Sequence, residues 1–356
     1  MSRLVYIAFL LCCSIGAAAQ TPLGFPHVPQ PKTSYDTVTM TVIGDVMMHK
    51  RQLEYDQKPF LERIAPRLRE SDFSVANMEF ALGGQPYSGY PSFSAPDSYA
   101  DYVASLGVDV FLCANNHILD KGTKGLSRTI DRYRSMSDSV RFTGIAGSPE
   151  ELRHNYPLIL SKNGIRIAIV NFTYGTNNES QDDWPRVNRM SRKDISDAIG
   201  TARRKHADFI IAMPHWGTEY SLKHSESQEE FARWLVGQGV DAIIGAHPHV
   251  VQDTSHICGV PVVYSIGNAV SNMSAANTRL ELAVRMKFVR TGMEKKMLEP
   301  ELMFMWCTLP GNLTNNYATI FVDEYLDKKQ EWIVPADYDN MTETLSRVIS
   351  ATGIKK

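Results

Sequence analysis

A chain of 356 residues, 43% hydrophobic and 21% charged, is long enough to bury one large core or two modest ones. Its formal net charge of −2 excludes the basic stripe expected of a nucleic-acid binder, and there is no acidic tail. A small molecule, a polymer or another protein is left as partner.

The first segment, "MSRLVYIAFLLCCSIGAAAQ", places Arg3 before an apolar run from Leu4 to Cys13 and ends in Ala17, Ala18 and Ala19. That layout predicts a secretory signal peptide over 1–19, cut before Gln20, and hence a periplasmic, extracellular or cell-surface protein. The apolar run is short for a transmembrane helix, so the mature chain is expected to carry no span. The alternatives are an uncleaved N-terminal anchor or a lipid on Cys12 or Cys13. Residues 20–37, rich in Pro and Thr, read as a linker. Cys113, Cys258 and Cys307 are too few for a disulfide framework and sit in or beside apolar runs, which predicts buried free thiols.

From Val38 onward one pattern recurs. Short Val/Ile-rich runs end abruptly in polar residues: "TVTMTVIGDV" at Asp45, "DFSVANME" at Asn77 and Glu79, "VDVFLCANNH" at Asn115, Asn116 and His117. "IRIAIVNFTY" ends at Asn171, "DFIIAMPHWG" at His215, "DAIIGAHPH" at His247 and His249, and "VPVVYSIGN" at Asn268. Continuous apolar runs suit strands buried on both faces. Between them "KPFLERIAPRLRES", "PDSYADYVASLG", "TKGLSRTIDRYRSM", "SRKDISDAIGTARRK" and "SQEEFARWLVGQG" have helical spacing. The alternation predicts an α/β sheet with helices on both faces, whose ligands gather outside the carboxyl ends of the strands. Residues 275–334 instead alternate, with turns at Thr291-Gly292 and Glu299-Pro300. They predict antiparallel strands at the sheet edge or on a second sheet. Residues 335–356 read as a terminal helix, opened by Asn340 or Thr342.

The strand exits carry the chemistry. On an extended backbone, residues i and i+2 point to one side, so His247 and His249 are expected to aim at one point. Two neutral imidazoles suit a divalent metal, although a solvated loop accounts for such a pair equally well. His215, Asp45 and Glu79 at other exits strengthen the metal reading, and Asn116 adds a carbonyl oxygen. A nitrogen and oxygen donor set without thiolates suits Mn, Fe or Zn. Two such ions about 4 Å apart form a known hydrolytic device, with a nearby histidine to protonate the leaving group. Asp120 is a candidate partner of His117, or a turn residue. Glu219 and Asn268 are candidates to support the site or touch substrate. Trp216 reads as packing, and His27, His154, His206, His224 and His256 as surface or loop residues.

"GDVMMH", "NMEF", "ANNHILDKG", "HWGTEY", "GAHPHVVQ" and "YSIGN" stand in the order seen in the bacterial capsule-synthesis (CapA-type) family, named for poly-γ-glutamate production, which the chain resembles over 38–273. That family is similar in turn to calcineurin-like metallophosphoesterases. The resemblance implies a four-layer α/β/β/α sandwich with mixed sheets over 38–334, around a two-metal site. It implies Asp45 as a ligand of the first metal and Glu79 where a bridging aspartate is usual. Asn116 and His215 follow as ligands, His247 and His249 as a closing pair split between the metals, and His117 as proton donor. One departure stands out. The usual Asp-x-His reads Asp45-Val46-Met47 here, so either His49, two residues on, takes over, or one ion is held poorly or not at all.

The leading expectation is an exported metal-dependent phosphoesterase-like hydrolase with two divalent transition metal ions, acting on an envelope or capsule polymer. The alternatives are a non-catalytic component of a capsule synthesis or export assembly, working with other capsule-synthesis proteins, and a hydrolase of the polymer's amide bonds.

Overall fold

The computed structural model describes residues 35–180 and 182–354. The predicted signal peptide, most of the linker and His27 lie outside them. Two sheets form the centre. The larger runs in the order β16 (Ala318–Phe321), β15 (Glu301–Thr308), β13 (Leu280–Thr291), β1 (Tyr35–Val46), β2 (Phe73–Met78), β3 (Val110–Leu112) and β4 (Arg141–Thr143), with β14 (Glu294–Met297) paired to β13. The smaller runs β11 (Thr254–Ile257), β12 (Val260–Val263), β10 (Ala242–Ile244), β9 (Phe209–His215), β7 (Ile165–Thr173) and β6 (Leu158–Lys162). In each sheet the motif-bearing strands pair in parallel, as does β4 with β3, and the other flanking strands pair antiparallel. Two short strands, β5 (Ile145–Ala146) and β8 (Arg186–Val187), pair apart from both.

Alternate residues of each strand face different cores. On β7, Ile165, Ile167 and Ile169 enter the core between the sheets, whereas Ala168, Val170 and Phe172 meet helices α6 (Arg192–Arg204) and α7 (Glu226–Gly237). The outer face of the large sheet is covered by α1 (Pro59–Glu62), α2 (Ala65–Arg69), α3 (Asp97–Ser105) and α4 (Gly122–Arg134). The layers are therefore α/β/β/α. The doubly apolar runs are real, but what covers their second face is another sheet, so one sheet with helices on both faces is corrected to two sheets with helices on one face each. A continuous apolar run reports that both faces are buried and cannot say by what.

Other differences are local. "KPFLERIAPRLRES" forms two short helices, because Pro66 has no N–H to continue the first one. Strand β1 begins at Tyr35, inside the predicted linker. The terminal helix α8 (Pro335–Thr352) opens at Pro335, before Asn340 and Thr342, with proline at the position where a missing N–H costs nothing. Its Met341, Leu345 and Val348 join the core between the sheets. Helix α5 (Pro149–Asn155), capped by Ser148, was not anticipated. Cys113 and Cys307 are buried as expected, but Cys258 is exposed between β11 and β12. Among the described residues no helix is long and apolar enough to cross a membrane.

The two sheets converge at the carboxyl ends of their parallel strands, where Gly44 on β1 meets Gly267 just after β12, and within the smaller sheet Gly245 is packed as tightly. A Cβ on Gly44 would lie 1.9 Å from the Gly267 carbonyl oxygen. One on Gly245 would lie 2.1 Å from the Tyr264 carbonyl oxygen and 2.5 Å from Trp216 Nε1. Gly245→Ala is expected to cost about 1–3 kcal/mol by overpacking, read from urea unfolding. Gly237→Ala, where an added methyl meets nothing within 4 Å, is the neutral or stabilising control. Equal unfolding midpoints for the two variants would contradict the close approach.

Candidate metal centre

Each functional side chain sits where a buried strand gives way to a loop. Asp45 follows an irregularity in the β1–β2 register, and its N–H donates to Gly267 O at 3.0 Å. Glu79 follows β2, with its N–H on Val46 O at 3.1 Å. Asn116 and His117 follow β3. Their loop is held from the other sheet by Asn171 on β7, which accepts the N–H groups of Cys113 and Ala114 (3.2 and 2.9 Å) and donates to Met213 O at 2.8 Å. Asn171 is thus a fastener between sheets rather than a member of the site. His215 closes β9, and His247 and His249 leave the end of β10.

The His-Pro-His segment is not extended. His247 has φ 102° and His249 φ 58°, both in the half of backbone space that side chains other than glycine avoid. The rings do not share one point. Their centroids are 6.0 Å apart, and each joins a different donor group. Ligand atoms of Glu79, His215 and His247 lie within 4.8 Å of one another, and so do those of Asp45, Glu79 and His249. Glu79 belongs to both. Asn116 Oδ1, 2.7 Å from His215 Nε2, adds to the first group. All these side chains are buried.

The electrostatics match the geometry. Both Glu79 oxygens and His247 Nδ1 are buried without a hydrogen-bond partner among the described residues. Such orphans are costly in a folded chain and fit a cation as their missing partner. Burial, then the Asp45 carboxylate, pushes the Glu79 carboxyl well above its ordinary value. Burial and the neighbouring imidazoles His247, His249 and His117 hold His215 well below the histidine range. Burial and His249 bring His247 to about 3 against the opposing pull of Asp45. These two rings stay neutral, the form that ligates metal. At His249 burial works downward, but bonds to Asp45 and Asn268 outweigh it and the value rises.

His117 Nδ1 lies 2.7 Å from Asp120 Oδ2, and the same oxygen accepts the Phe93 N–H at 2.7 Å. Asp120 therefore orients the His117 ring, which also rests edge-on against Phe93. Asn268 Oδ1 meets His249 Nδ1 at 2.9 Å and its amide donates to Thr278 O at 3.0 Å, so it braces His249 from behind and is absent from the pocket lining. Glu219 is exposed on the wall of the pocket. Met47 is buried, its carbonyl accepting the Tyr99 hydroxyl at 3.2 Å. His49 lines the pocket and packs edge-on against Phe93, but it enters neither donor group. Trp216 is buried in the helix-side core as expected. His154, His206 and His256 are exposed, and His224 is half-buried, stacked on Tyr264.

Sequence reasoning gave Asn77 no role. Its Nδ2 donates to Asp45 Oδ1 at 2.7 Å and lies 3.2 Å from His215 Nδ1, so it ties ligands of the two sheets together. Its position at a strand exit was the available signal. Glu281 on β13 was also missed. It is fully buried, both oxygens lack partners among the described residues, and burial followed by Asp45 raises its carboxyl well above the ordinary 4.5. Stability from such a group is full below the unfolded value and is lost as pH rises through the folded one. In chelator, Glu281→Gln is therefore expected to gain on the parent as pH rises from about 4.5, seen in urea midpoints across the range. A pH-independent difference would contradict the buried acid.

The sequence model of the family described as bacterial capsule synthesis protein PGA_cap matches residues 39–273. The capsule biosynthesis protein CapA of Bacillus anthracis is 27% identical over 259 residues, 68% of this chain and 62% of that protein. The PGA biosynthesis protein CapA of Bacillus subtilis (strain 168) is 25% identical over 285 residues, 76% of this chain and 73% of that one. The chain thus spans less than two thirds of the first relative's length. Among solved structures, a Staphylococcus aureus protein with a proposed 5′-nucleotidase activity superposes with TM-score 0.51 and 16% identity, over 75% of this chain and 54% of that one. That likeness is one of fold, and the architecture is metallo-dependent phosphatase-like.

Proposed function

This chain belongs to the bacterial capsule synthesis protein family, and we propose that it is an exported, metal-dependent phosphoesterase-like hydrolase acting on an envelope or capsule polymer. The observation that carries this reading is Glu79, one buried carboxylate shared by two donor groups. The residues fit a pair of divalent cations: Asp45, Glu79 and His249 would hold one, and Glu79, Asn116, His215 and His247 the other. A nitrogen and oxygen set of this kind suits Mn, Fe or Zn. Such a pair supplies Lewis-acid polarisation of a phosphoryl oxygen and acidifies water.

The chain's own groups do the rest. Asn77 fixes the Asp45 carboxylate and the His215 ring in one orientation. Asp120 accepts from His117 Nδ1, which leaves Nε2 to give a proton to the leaving oxygen. His117 lines the pocket with Asn116 and His249, so the proton donor and one member of each donor group face one space. Export follows from the signal-like segment at 1–19.

A second reading, a non-catalytic component of a capsule assembly that grips its polymer, is favoured by Met47. With His49 outside the donor groups, the Asp45 group has three protein side chains and the His215 group four.

The deciding experiment is a screen of phosphodiester, phosphomonoester and γ-glutamyl amide substrates with the full chain in Mn, Fe or Zn. Phosphoester turnover is expected. His117→Ala should lower it by about 10²–10⁴-fold with metal content unchanged. Cleavage of the amide alone would move the reading to a polymer amidase. No turnover on any class would favour the assembly component.

A further inference from the structure

The donor groups explain how a phosphoester would be activated but not which one. The pocket that reaches them through Asn116 and His249 has a volume of about 430 Å³. Through His49 and Tyr90 it adjoins a second cavity of about 370 Å³, lined also by Lys50, Arg51, Glu54 and Asn272. Together they exceed what a bare phosphate needs and fall in the range of ligand sites.

The rim is aromatic. Seven large hydrophobic residues are exposed among the described residues, and four of them are tyrosines: Tyr87, Tyr90, Tyr174 and Tyr220. Three of these four surround the metal centre. Tyr90, 73% exposed, and Tyr220 line the pocket. The Tyr174 ring lies 4.6 Å from that of His247, and the Tyr220 ring 6.2 Å from that of His249. Packing does not account for side chains left nearly half or more in solvent, and exposed aromatics gathered at one pocket mark recognition.

Tyr220 is held there at a cost. Its φ is 65°, a left-handed conformation that asparagine or glycine adopts more cheaply. Its N–H donates to Pro248 O at 2.9 Å, which fixes the residue beside the His-Pro-His turn. Burial does not offset the strain, since the ring is 46% exposed. Strain kept at such a position points to function.

The charge of the inner pocket narrows the ligand. Among the described residues no Lys or Arg lines it, Lys50 and Arg51 belonging to the adjoining cavity, and Glu219 is exposed on its wall. Away from the cation positions, a linear run of carboxylates would meet Glu219 there and find no basic side chain to pair with. An uncharged ring, with a flat face for tyrosine to stack on, meets neither obstacle.

Resting on the phosphoesterase reading, we propose that Tyr90, Tyr174 and Tyr220 form a stacking subsite for an uncharged ring, a sugar or a nucleobase, next to the phosphorus of the substrate. Tyr90 and Tyr220 are the specificity-determining residues.

The test is calorimetric titration of the Mn-loaded full chain with inorganic phosphate, glycerol 3-phosphate, glucose 1-phosphate and uridine 5′-monophosphate. At least one ring-bearing phosphate should bind about tenfold or more tighter than glycerol 3-phosphate. A preference for glucose 1-phosphate identifies a sugar, one for the uridine ligand a base, and either supports the subsite. In Tyr90→Ala and in Tyr220→Asn the advantage should shrink severalfold, and in the double variant it should vanish. Tyr220→Asn should also keep or raise the melting temperature, as relief of strain requires and a structural tyrosine would not. Phosphate binding without a ring advantage, or an advantage that survives the double variant, overturns the subsite alone. Absence of phosphate binding overturns the phosphoesterase reading, and the subsite with it.

Discussion

The structure turns on a buried carboxylate that nothing among the described residues satisfies. Glu79 is fully buried, and neither oxygen has a hydrogen-bond partner among the described residues. Beside it stands Asp45, also fully buried. Two acids in a low-dielectric interior repel, and in a bare chain Glu79 can stay only by keeping its proton. His215 and His247 are pushed the other way, toward neutrality. An acid that resists ionising and imidazoles that resist protonation are a poor arrangement for an isolated fold and a good one for binding cations.

Everything around that carboxylate keeps the donors together. The ligands come from two sheets, so the sheets must meet at one end with little play. Gly44 lets the backbones of the two sheets touch at Gly267, Gly245 keeps the smaller sheet's strand exits close, Asn171 ties the β3 exit to β7 and β9, and Asn77 joins Asp45 to His215. The positive φ at His247 and His249 belongs to the same scheme. A compact turn sends adjacent imidazoles to opposite sides of Glu79, where an extended segment would send both one way.

Much of this was legible in the chain. Abrupt changes from Val/Ile runs to Asp, Asn, Glu and His marked the strand exits, because a parallel sheet presents its loops at one end. Seven of those runs are strands, and six of the exit residues named as ligands come together. What was not legible depends on the third dimension. Apolar runs do not tell a helix from a sheet as cover, so the division of the motif-bearing strands between two sheets came from the resemblance. His49 was two residues from the usual position, but a 3₁₀ turn begins at Lys50, and period-two reasoning fails where the strand has ended. Asn77 and Asn171 looked alike as asparagines at exits. Only their partners show that one orders the ligands and the other joins the sheets. The tyrosines carry no sequence signal, since what sets them apart is exposure around one pocket.

The central claim is that Glu79 is common to two cation positions, and the most direct measurement is calorimetric Mn titration of the full chain beside its Glu79→Ala variant. The account predicts about two equivalents for the parent and loss of strong binding at both positions in the variant, since each donor group loses an oxygen and the one between Asp45 and His249 keeps only two side chains. Unchanged stoichiometry and affinity in Glu79→Ala would contradict it.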